Sequence, residues 1–458
     1  MLSDSTIFIL GDGAAFIHTG REEIGWIVVN KDGSQVLNKH IIRNDSITYY
    51  IGEPGAMKKL PSAGYIVPVT EVFAHNNYVK YCAGLLKLNA QLDTIFLRTY
   101  TDTSLNDDYI NTCTIMPDGT YLIGGTRGIQ PDSCVLMHID SNGNLLWVKT
   151  YANIFLGENY TIRTLSTMPN GLIIAGAYIL NQKVIGMQQF YYDLKSPWFI
   201  LFDTSGNIIK DTVYRTHYGG GEINIDTVGG YVTWGYLDSF FTSNPNQAPN
   251  LPGFIAHLDD SFRMTWVTNF ADNYTLYDIY CVRQLHDGNY LVIGDRYGYM
   301  GWLAKVNAVT GAKIWEHIYG DSTLGFAYFA DVIEKSNGNF LITGSILNPN
   351  EPNNFRQDVW LLEVDSNGCE VPGCMQTTGT PPSPLKGELK IWPNPVNNFL
   401  NIEASFKIEQ IEIVNTLGQS VLHKICSTER ESIDISHLRS GMYFMRINNL
   451  YTQKVMKQ

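Results

Sequence analysis

Val135-Leu-Met-His-Ile-Asp-Ser-Asn-Gly-Asn-Leu-Leu-Trp147 is two apolar runs separated by Asp140-Ser-Asn-Gly143. Asp-x-x-Gly between apolar runs signals a hairpin, because glycine supplies the positive φ that the turn needs. A second clear copy is Trp302-Leu-Ala-Lys-Val-Asn-Ala-Val-Thr-Gly-Ala-Lys-Ile-Trp315, and others start near Trp26, Leu85, Trp198, Phe254 and Trp360. Trp198, Phe254, Trp302 and Trp360 each stand five residues before the Asp or Asn. Upstream of each copy lies a turn and an apolar strand, as in Asp118-Gly-Thr-Tyr-Leu-Ile123 and Asp287-Gly-Asn-Tyr-Leu-Val292. The aligned turn glycines are 13, 64, 119, 171, 230, 288 and 338, separated by 51, 55, 52, 59, 58 and 50 residues. Each period reads as four strands, A to D: an Asp-Gly turn joins A to B, a loop joins B to C, and Asp-x-x-Gly joins C to D. Seven such periods predict a seven-bladed β-propeller over about residues 5–374. A sandwich array or a solenoid is the competing fold; the period is long for a β-helix coil and short for two sandwich domains. The bulky residue fixed in strand C is expected to fill the space between blades; a binding role requires it at a strand end.

Composition agrees. Charged residues are only 17% and aromatics reach 12%, with 41 Gly, as hairpin-rich β structure demands. The net charge of −12 argues against a nucleic-acid partner, which needs clustered Lys and Arg. No apolar run approaches the roughly 20 residues of a transmembrane helix. Ile7–Leu10 is too short for a signal peptide and the first basic residue is Arg21, so the chain is either cytoplasmic or lacks its native leader. Asp140–Gly143 lacks the later bidentate Glu of a calcium loop and reads as a plain hairpin. No metal site and no cofactor are expected. Of seven cysteines, only Cys369 and Cys374 are close in sequence, with Gly and Pro between them. On export they are expected to form a disulfide; otherwise they are unrelated thiols or half a metal site. The other five are expected in strands as small buried hydrophobes.

The B–C connections Val72–Tyr81, Tyr178–Pro197, Asp238–Pro252 and Leu347–Arg356 read as long loops gathered on one face of the disc. Long loops on one face are where function concentrates. Two carry aromatics: Phe190, Tyr191 and Tyr192, and Phe240 with Phe241. These are the candidate ligand-binding residues, suited to sugar rings or a protein partner; alternatively the loops only cover the disc. No Gly-x-Ser-x-Gly elbow, His-Glu-x-x-His helix or Walker loop occurs, and the ten His show no ligand spacing. Catalytic residues are therefore unassigned. Because a propeller gathers residues from several blades, axial carboxylates acting on a glycoside remain an alternative.

After Cys374 the pattern changes. Residues 375–388 are a Thr/Pro-rich linker, and 389–458 read as a small Ig-like β-sandwich. From 389 on, 8 Lys and Arg stand against 6 Asp and Glu, a net +2; the preceding part, with 24 against 38, carries −14. Pro393-Asn394-Pro395, Leu417-Gly418-Gln419, Leu438-x-x-Gly441-x-Tyr443 and Lys454 resemble the C-terminal sorting domain of the type IX secretion system of Bacteroidota. The resemblance covers some 15% of the chain. It implies export through a cleaved N-terminal signal, recognition of this domain by the secretion machinery, and a secreted or outer-membrane-surface location. On that reading the native signal peptide is missing from this sequence. The Asp-x-x-Gly-x-x-x-Trp repeats also look like propeller regions common in such exported proteins. The expected function is a surface or secreted binding module for glycan or protein. The alternatives are a secreted polysaccharide hydrolase or lyase using the long-loop face, and a structural or adhesin element.

Overall fold

The computed structural model describes the chain except residues 1–5, 13–23, 31–33, 42–46, 54, 76–77, 101–106, 129–131, 153–158, 186–189, 215–217, 228, 238–251, 271–276, 297–299, 321–326, 348–356, 371–388, 416–419 and 449–450. It divides into two compact units, Met1–Cys374 and Met375–Gln458.

The first unit is a seven-bladed β-propeller of antiparallel sheets that follow one another along the chain. Blade 1 holds β1 (Thr6–Asp12), β2 (Ile24–Asn30) and β3 (Gln35–Ile41). Blade 2 holds β4 (Ile47–Ile51), β5 (Lys58–Lys59), β6 (Tyr65–His75), β7 (Tyr78–Leu88) and β8 (Thr94–Tyr100). Blade 3 holds β9 (Asp108–Ile115), β10 (Tyr121–Arg127), β11 (Ser133–Ile139) and β12 (Leu145–Tyr151). Blade 4 holds β13 (Asn159–Thr167), β14 (Ile173–Ile185), β15 (Phe190–Phe202) and β16 (Ile208–Val213). Blade 5 holds β17 (Tyr218–Ile225), β18 (Tyr231–Leu237), β19 (Gly253–Leu258) and β20 (Met264–Phe270). Blade 6 holds β21 (Tyr277–Gln284), β22 (Tyr290–Arg296), β23 (Met300–Val306) and β24 (Lys313–Tyr319). Blade 7 holds β25 (Ala327–Glu334), β26 (Phe340–Leu347) and β27 (Gln357–Val364).

The fixed aromatics fill the spaces between blades, as the repeat predicts. Trp198 is buried among Leu122, Cys134 and Leu136 of blade 3. Trp302 is buried among Val232, Trp234 and Ile255 of blade 5 and meets Phe270 edge-on at 4.7 Å. Trp360 lies 4.6 Å from Phe329. The C–D turns are Asx hairpins, not ion loops. The Asp140 carboxylate accepts from the Asn142 and Asn144 amides, and Asp203, Asp259 and Asp365 repeat the pattern. The turn demands positive φ so strongly that Leu92 (62°) and Phe262 (59°) adopt it where other copies have glycine. Their buried side chains hold them there.

These turns also link the blades. At the end of strand D, Tyr100, Tyr151 and Tyr319 donate to the Gly143, Gly206 and Gly368 carbonyls of the next blade's turn, at 3.2, 2.5 and 2.6 Å. Tyr214 does the same to Phe262, and Thr268 to Gly311. Blade 1 meets blade 7 differently, through Ile7, Ile9 and Val29 packed on Leu341.

Strand A of blades 3 to 7 carries a β-bulge, with Asn111, Arg163, Gly221, Tyr280 and Ala330 as the extra residues. In four of these blades strand B has a glycine there. A Cβ on Gly125, Gly235, Gly294 or Gly344 would lie 1.8–2.1 Å from a strand A carbonyl oxygen.

Two readings of the sequence need correction. The first period is misaligned: β1 is a strand B, so Gly13 follows strand B and is not its leading turn. Blades 1 and 7 accordingly show three strands each, without A and D respectively, among the described residues. Two of the long loops are strands. Val72–Tyr81 continues the β6–β7 ladder up to the pair His75↔Tyr78. Tyr178–Pro197 continues β14–β15 through eight pairs, ending at Ile185↔Phe190. A regular apolar–polar alternation is weak in both stretches, which hid them. Asp238–Pro252 and Leu347–Arg356 lie almost wholly outside the described residues.

The second unit contains β28 (Leu389–Trp392), β29 (Phe399–Val414), β30 (Ser420–Asp434), β31 (Gly441–Ile447) and β32 (Tyr451–Lys457). The long β29–β30 hairpin changes register at Glu403/Ile408, pairing β28 before that point and β31 after it. It thereby serves both layers of a sandwich closed on Val396, Leu400, Ile411, Ile433, Met445 and Val455.

Gly125→Ala and Gly119→Ala separate the two uses of glycine. Gly119 (φ 82°) has nothing within 4 Å of its Cβ position, so alanine meets only backbone strain, about 1 kcal/mol. Gly125→Ala meets instead a clash at 1.9 Å, and is expected to lose ~1–3 kcal/mol in chemical denaturation. The turn carboxylates give a pH dependence. Backbone amides from Asn144, Asn207 and Arg263 hold Asp140, Asp203 and Asp259 below the ordinary carboxylate range. Their folded pKa lies below the unfolded one, so their contribution is full above pH ~4 and is lost as pH falls through the folded values. Melting temperature is expected to drop from pH 6 to pH 3, and less steeply in Asp140→Asn.

Candidate functional site

Three places were singled out by the sequence: the long-connection face, the propeller axis and the C-terminal motif. On the first, Phe190, Tyr191 and Tyr192 open strand β15, paired with Ile185, Val184 and Lys183. Strand β13 stops pairing at Leu180 and β16 at Trp198. Beyond them, Asn181–Ile185 and Phe190–Leu194 form a two-stranded arm, within an extension of about 25 Å at 3.3 Å per residue. Phe240 and Phe241 lie outside the described residues.

At the axis, innermost strands bring together residues far apart in sequence. The bulge at Arg163 aims its guanidinium into the channel, where it pairs with Glu53 and with Glu222 (3.3 Å). Burial opposes the Arg163 charge, but the Glu222 and Glu53 carboxylates outweigh it and raise its pKa. Arg283 forks onto Asp331 at 2.8 and 3.1 Å. Lys58 donates to the Gly55 carbonyl at 3.0 Å, and burial lowers its pKa. Segment Gly52–Met57 interrupts the innermost strand of blade 2 and helps to fill this channel. The cavity among Arg163, Lys58 and Arg283 is about 30 Å³, room for a water and not for a sugar ring, and a second cavity of about 370 Å³ adjoins it beside Glu53 and Asp331. Three carboxylates face three cations there, so the axial carboxylates are engaged as ion pairs. Periodicity predicted that residues from several blades converge, but not which ones. The bulges that select them leave no mark in the apolar pattern. Among the described residues no three His, Cys, Asp or Glu side chains are arranged to hold a metal ion.

Cys82, Cys113, Cys134 and Cys281 are buried free thiols in strands; burial pushes the Cys82 thiol up to about 11. Cys426 is free but only half-buried, in the sandwich, unlike the expectation for it. Cys369 is disulfide-bonded, and Cys374 lies outside the described residues.

In the C-terminal unit the two ends of the motif meet. The Asn394 amide donates to the Lys454 carbonyl at 2.7 Å and accepts from the Met456 amide at 2.9 Å. The Val396 amide then donates to the Met456 carbonyl (2.8 Å), and the Gln458 amide to the Val396 carbonyl (2.9 Å). Asn394, between Pro393 and Pro395, thus stands in for a strand along the edge of β32. Tyr443 is half-buried on the core and donates to the Arg439 carbonyl at 3.0 Å. Gly441 starts β31 opposite Lys457, Lys454 is exposed opposite Phe444, and Gly418 lies outside the described residues.

Residues 390–458 match the family described as the secretion system C-terminal sorting domain. The protein is accordingly a secreted or cell-surface protein of the type IX route, and its tail engages the secretion machinery. Among the described residues no helix is long and apolar enough to cross a membrane. Among curated proteins none matches. Similar solved structures include a Bacteroides caccae protein of unknown function, at 13% identity, covering 67% of this chain and 92% of that one, with a TM-score of 0.38. PorZ, a surface component of the type IX secretion system of Porphyromonas gingivalis, is similar at 10% identity, 96% and 69% coverage and a TM-score of 0.37. Synechocystis apocarotenoid oxygenase is similar at 13% identity, 80% and 87% coverage and a TM-score of 0.43. The fold assignment rests on the sheet topology and not on these likenesses.

Asn394→Ala removes both bonds to β32. At about 1 kcal/mol net for each, the C-terminal unit is expected to lose ~2 kcal/mol, read as faster hydrogen exchange at the Met456 and Gln458 amides of the intact chain. Asn394→Asp keeps the acceptor and is expected to fall between.

Proposed function

We propose that the propeller of this exported protein is a binding module for glycan or protein, and that its ligand is taken on the face carrying the B–C connections. The observation that carries this reading is the β14–β15 arm. Its tip strand opens with Phe190-Tyr191-Tyr192, and the ladder continues well past the sheet that supports it. Aromatic residues lose little side-chain entropy on binding, which suits stacking on sugar rings or a protein surface. Phe240 and Phe241, in the connection between β18 and β19, are proposed as part of the same site. At the axis Glu53, Glu222 and Asp331 are paired with arginines. In the tail, Pro393, Asn394, Pro395, Gly418, Gly441, Tyr443 and Lys454 are proposed as the motif that the secretion machinery reads, with Asn394 fixing the final strand. A Cys369–Cys374 bridge and the boundaries 5–374, 375–388 and 389–458 complete the proposal.

The test is a glycan array and a surface-protein pull-down with the intact chain and a Phe190→Ala/Tyr191→Ala/Tyr192→Ala variant. A ligand whose affinity falls at least tenfold in the variant, at unchanged melting temperature, supports the arm as the site. A ligand bound equally by both places the site elsewhere and overturns this reading.

A further inference from the structure

In blade 7 a side-chain cluster departs from the repeat. Lys335 follows the last residue of β25 and is only 9% exposed. Its amide donates to the Asn339 carbonyl across the A–B turn, as the Leu60, Met116 and Leu285 amides do to Gly64, Thr120 and Asn289. Those three equivalents of Lys335 are apolar and buried, so the fold itself requires no charge at this place. A buried lysine is costly there unless it is paired. Glu363, in strand C of the same blade, pairs it: Lys335 Nζ donates to Glu363 Oε1 at 2.7 Å. The same oxygen accepts from Asn339 Nδ2 at 2.8 Å. A primary amine and a carboxamide are thus held on one carboxylate oxygen. The ladders pair Ile333 with Leu341 and Leu341 with Glu363, so the cluster continues the face on which Ile333, Leu341 and Leu361 pack against blade 1. Two hydrogen bonds to one oxygen hold the nucleophile, the acyl group and a proton carrier within reach of each other.

We propose that Lys335 and Asn339 form an intramolecular isopeptide bond, with Glu363 as the proton carrier; the structure holds the reactants. Glu363 takes one proton from the Lys335 ammonium and leaves a neutral amine nucleophile. The Nζ lone pair attacks Cγ of Asn339, and the Nζ–Cγ bond forms. The Cγ–Nδ2 bond then breaks. Nδ2 gains two of the three lysine protons through Glu363 and leaves as ammonium, and the third stays on the new amide nitrogen. Glu363 ends as a carboxylate, and nothing is oxidised or reduced. Proximity supplies the rate, since well-oriented intramolecular pairs reach effective molarities of about 10⁵–10⁸ M. The product ties the end of strand A to the start of strand B by an amide that no reductant cleaves, on the face by which blade 7 meets blade 1. This site is separate from the β14–β15 arm, and its failure leaves that reading untouched.

The test is peptide mapping. The intact folded chain is incubated at neutral pH, denatured and digested with trypsin, and the peptides are weighed by mass spectrometry. Trypsin does not cut at an acylated lysine, so residues 314–356 are expected as one peptide, lighter than its sequence by about 17 Da, the mass of the ammonia lost. Glu363→Gln keeps the size of the side chain but cannot carry the proton. It is expected to give residues 314–335 and 336–356 as separate peptides of full mass. Asn339→Ala removes the acyl group and is expected to do the same, which serves if Glu363→Gln does not fold. The proposal is overturned if the unaltered chain is cut at Lys335. That includes loss of 17 Da from residues 336–356 alone, which marks a succinimide at Asn337-Gly338. It is also overturned if the uncut, lighter peptide persists in either variant.

Discussion

A four-stranded sheet with two apolar faces cannot exist alone in water. Everything in the larger unit follows from that constraint. Each blade buries one face on the blade before it and the other on the blade after, so stability lies in the interfaces. The bulky strand C residue supplies apolar contact, and the strand D hydroxyl bound to the next C–D turn fixes the angular register. The turn is thus both a local hairpin device and the acceptor in a contact between blades. Its tolerance of Leu92 and Phe262 at positive φ shows that the register outranks the residue's own backbone preference.

The same constraint explains the axis. Innermost strands crowd together, and bulges relieve the crowding by turning one residue per strand out of the ladder. Where that residue is Arg163, it meets carboxylates from blades 2 and 5. The result is a charge-balanced cluster beside a cavity of about 30 Å³.

The tail obeys a different logic. It is a sandwich whose first and last segments are bound by the Asn394 amide. A sorting signal must be presented in one shape regardless of what precedes it, and a compact domain with its own core does so.

The seven periods, the Asx turns and the stacking role of Trp198, Trp302 and Trp360 were legible in residue order, because hairpins and strand alternation are local. The C-terminal sorting domain was legible as well, and with it the export route. The sequence misled at Gly13, where a Gly-containing turn pattern occurs in the wrong frame, and at Tyr178–Pro197, where strands lack alternation. Tertiary structure alone decided which side chains meet at the axis and which glycines receive a carbonyl. The axial contacts join residues a blade or more apart, and the glycine contacts join paired strands at a bulge whose position the pattern does not mark. Short-range pattern fixes a hairpin, but only the closing of the ring sets what faces it.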